Sequence, residues 1–121
     1  MSALSIRRGA SSNRDPQLAA AELHAALDQP DIRLAVFYCA ADYDLPALAA
    51  ALHARFGDID LIGCTSAGEI TPQGYLNGTL TGFSMSAPRL AVATQLIKLD
   101  PFDSVATGTQ VAALLAGLGT R

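Results

Sequence analysis

The chain has 121 residues, half of them hydrophobic and 16% charged, enough for one domain with one modest core and too apolar for a disordered tail. Eight Lys and Arg against 11 Asp and Glu give a net charge of −3, which argues against a nucleic-acid partner needing a basic face. No apolar run approaches the ~18 residues that span a bilayer, so no membrane partner is expected. The short apolar stretch Ala3 to Ile6 precedes Arg7 and Arg8, the reverse of a secretory signal, and points to a cytoplasmic protein. Two cysteines, Cys39 and Cys64, are too few for a disulfide framework and read as reduced, mostly buried thiols.

Residues 3–9 read as a short strand. Asp15 and Pro16 then open a helix, the first as a cap for free amides and the second at the first helical position. Ala19, Leu23, Ala26 and Leu27 give that helix one buried stripe, and Pro30 ends it. Ile32 to Cys39 is apolar on both faces apart from Arg33, the pattern of a strand covered by helices on both sides. A second helix starts after Asp44 with Pro46 in its first turn. It carries Leu45, Leu48, Ala49, Leu52 and Phe56 at helical spacing and stops at Gly57. Ile59 to Cys64 is the next strand. Strand, helix, strand with short connections makes a parallel βαβ unit with a right-handed crossover. Residues 78–86 and 90–98 read as two strands around a short turn at residues 86–89, hence an antiparallel pair. A weaker helix follows Asp100, with Val111, Leu114 and Leu115 on its apolar side. The expected fold class is α/β: a mixed sheet with a parallel βαβ unit followed by an antiparallel hairpin, helices packed on the sheet. One domain over 1–121 is expected.

Ligands of such sheets bind beyond the carboxyl ends of the parallel strands. Two loops lie there. One offers Asp42, Tyr43 and Asp44. The other offers the hydroxyls of Thr65 and Ser66, backbone amides near Gly68, and the carboxylate of Glu69. Together they suit a small polar ligand carrying an amine and a carboxylate. Asp44 reads as a helix cap before it reads as a contact. Gly63 to Gly68 has the glycine spacing of a phosphate-binding loop, but Glu69 and Ile70 stand where Lys and Ser or Thr are required. Ser66 is no nucleophile elbow, since Cys64 replaces the first glycine and no helix signal follows. His24 and His53 fall on separate helices, flank the apolar stripes, and form no metal site.

Around Gly63-Cys-Thr-Ser-Ala-Gly-Glu-Ile70 the chain resembles the N-terminal part of the FIST domain family. The likeness extends to Val36-Phe-Tyr-Cys39, Asp42-Tyr-Asp44, Gly74-Tyr75 and Gly78-Thr-Leu-Thr-Gly-Phe-Ser84, and covers residues 5–100. It implies an intracellular, mostly bacterial sensory module for small ligands, amino acids among them, with haem and nitric-oxide sensing in some members. It implies a signalling partner such as a histidine kinase or a diguanylate cyclase. By position it marks Cys64, Thr65, Ser66, Ala67, Gly68 and Glu69 as the binding loop. Family modules are longer, so this chain is expected to be the N-terminal portion of one, with self-association or contact with a C-terminal domain. Beside a non-catalytic sensor stand a pure protein-interaction module and two readings with chemistry. One is haem binding through His53 or His24. The other is a thiol enzyme with Cys64 as nucleophile.

Overall fold

A computed structural model of the protein describes residues 3–118. The chain divides into two compact units, Met1–Leu90 and Ala91–Arg121. The first contains strand β1 (Ser5–Ser11), helix α1 (Pro16–Leu27), strand β2 (Ile32–Ala40), helix α2 (Leu45–Phe56) and strand β3 (Asp60–Ser66). Two short strands, β4 (Glu69–Thr71) and β5 (Gly74–Leu76), and then β6 (Leu80–Ser86) complete it.

Both helix starts are where the sequence places them. The Asp15 carboxylate accepts from the amides of Gln17 and Leu18 at 2.9 and 3.1 Å, and Asp44 accepts from Ala47 at 3.2 Å. Each cap is followed by proline in the first turn, where a missing N–H costs nothing. Gly57 ends α2 at φ 65°, a left-handed position that favours glycine.

The main sheet has the order β1-β6-β2-β3. β2 and β3 are parallel, from Leu34 opposite Asp60 to Ala40 opposite Ser66. β6 is antiparallel to both β1 and β2, so β1 is parallel to β2 with β6 inserted between them. The fold is therefore the expected mixed α/β sheet with its parallel βαβ unit, and the antiparallel hairpin that follows is β4–β5.

Three expectations are corrected. The hairpin partner at 90–98 is absent, because β6 already has a neighbour on each edge and offers no free ladder. Helices do not cover both faces of β2 within this unit. The crossovers β1-α1-β2 and β2-α2-β3 step the same way across the sheet, and right-handedness then puts both helices on one side. Cys64 is exposed, because it lies on the edge strand β3; both thiols are free.

The core lies between that helix layer and the sheet. Leu23 and Leu27 of α1 and Leu48, Leu52 and Phe56 of α2 pack with Ala35, Cys39 and Leu80. In α2 the buried stripe is Leu48, Ala51, Leu52 and Phe56, while Leu45 and Ala49 face solvent. The opposite face carries Tyr38, Ile62 and Ile6, all exposed, and within this unit the β4–β5 hairpin approaches it through Ile70. The second unit contains helix α3 (Ser104–Leu118), capped by Asp103 at the amides of Val105 and Ala106. None of its described residues is buried.

Candidate functional site

Three parallel strands end at one rim, so three loops meet there: residues 12–15 after β1, 41–44 after β2 and 67–68 after β3. The start of β6 joins them from the other direction. The two loops chosen from the sequence do leave the same rim from neighbouring strands. The loop after β1 was missed as a component of the rim, because its sequence signals only a helix start.

That third loop engages most of the 41–44 loop. Arg14 forms an ion pair with Asp42 at 2.7 Å and donates to the carbonyl of Gly78 at 2.6 Å. Its guanidinium also lies 4.5 Å from the centre of the Tyr43 ring. The Tyr43 hydroxyl donates to the carbonyl of Asn13 at 2.7 Å, and the residue is buried. The Arg14 hydrogen bond and charge hold the Asp42 carboxyl below its ordinary range. Burial pushes the Tyr43 phenol up, against the pull of Arg14. Asp44 caps α2.

Glu69 is 2% exposed, the one buried charged side chain among the described residues. Its Oε1 accepts from the Thr79 amide at 2.9 Å and the Thr79 hydroxyl at 2.6 Å, and its Oε2 accepts from the Ser66 hydroxyl at 2.7 Å. Burial opposes the charge most strongly. The Thr79 and Ser66 hydrogen bonds outweigh burial and the nearby Asp42 charge, and the carboxyl is held below its ordinary range. Glu69 thus fastens the loop after β3 to the start of β6.

What stays open is the side of this loop facing away from the helices. A cleft of about 250 Å³ is lined by Tyr38, Ser66, Gly68, Glu69, Ile70 and Thr81. Of the residues expected from the sequence, Ser66, Gly68 and Glu69 border it. Cys64, Thr65 and Ala67 are exposed along β3 and its loop, while Asp42 and Tyr43 belong to the Arg14 cluster. Tyr38, Ile70 and Thr81 were not foreseen. Their signal was alternation: Tyr38 and Thr81 are register partners on the face away from the helices.

The histidines lie elsewhere. His24 is half-buried edge-on to Phe56, ring centres 4.9 Å apart, and His53 is exposed on α2. Both belong to the helix layer, whereas Cys64 is beside Tyr38 on the opposite face. Among the described residues no group of His, Cys, Asp and Glu is arranged to hold a metal ion, and no helix is long and apolar enough to cross a membrane.

A family model described as the FIST N domain matches residues 33–120, well over half of the chain. The match begins at β2 and takes in the whole loop from Cys64 to Glu69. No curated protein and no solved structure is significantly similar to the chain.

Proposed function

The chain belongs to the FIST N domain family, a sensory and signal-transduction family with no known catalytic role, and we propose that it is a non-catalytic, intracellular receptor for a small polar molecule, amino acids among the first to test. The observation that carries this reading is the open cleft at the carboxyl rim, where Ser66, Gly68 and Glu69 meet Tyr38, Ile70 and Thr81. Rims of this kind are where α/β sheets place ligands. The cleft lies under the β4–β5 hairpin, which is tied to the sheet by the Thr81 hydroxyl donating to the Ile70 carbonyl at 3.1 Å. A ligand seated there favours one placement of the hairpin over another, and such differential affinity is what transmits a signal. The receiver is a signalling protein of the histidine kinase or diguanylate cyclase kind, or a further domain or second copy meeting the exposed sheet face.

A thermal-shift screen of amino acids and related small molecules tests the proposal. A ligand at 100 times its Kd adds roughly 2.7 kcal/mol to stability. No shift with any compound overturns it. His24 and His53 lie on the helices and Cys64 on the opposite face of the sheet, which argues against a thiol mechanism that uses either histidine as its base.

A further inference from the structure

Tyr38, Ile70 and Thr81 also border a second cleft of about 240 Å³, which runs from the first one along β6. Its remaining walls are Arg8, Thr71, Pro72, Gly82 and Phe83. Most polar groups here are already engaged. The single proton of the Thr81 hydroxyl is shared between the carbonyls of Gly9 and Ile70, at 3.2 and 3.1 Å. The Thr71 hydroxyl donates to the Gly74 carbonyl and accepts from the Gln73 amide. Two groups remain: the Arg8 guanidinium and the Tyr38 hydroxyl have no hydrogen-bond or ion-pair partner among the described residues. A guanidinium donates only and stays charged, and a phenol readily donates. An apolar concavity with a few unspent donors is the usual form of a small-molecule pocket.

We propose that this second cleft binds a small organic carboxylate with an apolar body, the carboxylate on Arg8 and the body against Phe83, Ile70 and Pro72. The inference rests on the sensory reading above and names the ligand class for it. Planar guanidinium and carboxylate groups pair through two parallel hydrogen bonds, which gives direction as well as affinity. The sheet register sets the orientation. Arg8 is opposite Phe83, and Glu69 is bonded to Thr79. Four residue steps, from Thr79 just before β6 to Phe83 within it, separate these points, about 13 Å at the rise of an extended strand. The anionic end therefore sits well away from the Glu69 charge. An α-amino acid, with both charges on one carbon, cannot use Arg8 and Glu69 together, so Arg8 reads the carboxylate alone.

The test titrates the full chain, labelled with ¹⁵N, with 3-phenylpropionate and with its uncharged counterpart 3-phenylpropionamide. The carboxylate is expected to shift the amides of Arg8, Ile70 and Phe83 saturably, and the amide compound to bind about 10-fold more weakly, the loss of one charge-assisted contact. Arg8→Lys keeps most of that preference and Arg8→Gln removes it. Arg8 is exposed and unpaired, so both variants should keep the unliganded spectrum. Equal binding of the two compounds, a preference that survives Arg8→Gln, or no saturable shift at these amides overturns the proposal. If the thermal-shift screen finds a ligand whose effect Arg8→Gln leaves intact, this inference fails and the sensory reading stands. If the screen finds none, the sensory reading fails first.

Discussion

At Glu69, a buried carboxylate is made tolerable by three donors, and its substitutions separate charge from hydrogen bonding. Glu69→Gln keeps an oxygen for the Thr79 amide and hydroxyl. Its NH₂ then faces Ser66, whose hydroxyl can turn to accept. Glu69→Leu leaves the Thr79 donors without an acceptor, at a cost of about 1–3 kcal/mol for each buried group left unsatisfied. Urea unfolding at pH 7 should therefore show a small loss for Gln and a large one for Leu. The pH dependence follows from the sign of the shift. The folded carboxyl titrates below the ordinary glutamate value of 4.5, so its stabilisation is present above that value and is lost as pH falls through the folded pKa. The gap between wild type and Glu69→Gln should shrink between pH 5 and the acid limb. A constant gap across that range would mean that the charge contributes nothing.

The helix layer depends on closeness between elements. A Cβ at Gly9 would collide with the Cβ of Ala26, so β1 and α1 approach as they do because position 9 has no side chain. Gly9→Ala is expected to cost about 1–3 kcal/mol as an overpacked core. Adding Ala26→Gly should recover part of this, less the ~1 kcal/mol that glycine costs inside a helix. Thermal unfolding of the two single variants and the double variant measures that coupling, and strict additivity would disprove it. Gly68 is a useful contrast. A Cβ there meets the ring and hydroxyl of Tyr75, which is 67% exposed and free to swing aside, so Gly68→Ala should be mild. Most elements were legible in the sequence because their signals are local. Asp15-Pro16, Asp44 with Pro46, and Gly57 mark helix ends through backbone bonds within four residues. The place of β6 was not legible. Its partners are β1, about 75 residues earlier, and β2, and nothing near residues 80–86 announces them. Residues 90–98 carry a strand-like pattern, but a strand also needs a free edge beside it. The site followed the same division. The parallel order located the rim, whereas the Arg14 cluster and the face of Tyr38 and Thr81 depend on β1 and β6 meeting β2.

Across the whole molecule, stability is concentrated where ladders and burial coincide. β2 and β6 each have a neighbour on both edges, and every buried hydrophobic residue among those described lies between Ala19 and Leu80. α3 is the opposite case. It has 15 residues and a good cap, but Val105 is 77% exposed and Leu115 62%. A helix of that length with no buried side chain among those described is marginal in water. Hydrogen exchange should resolve the difference. Inner amides of β2 and β6 should exchange only through global unfolding, and those of α3 many times faster through local opening. Dilution gives the result its meaning. If α3 is protected as strongly as β2 at high protein concentration and loses that protection on dilution, its apolar side is covered by another copy. Protection of α3 that matches β2 at every concentration would contradict the local-opening account.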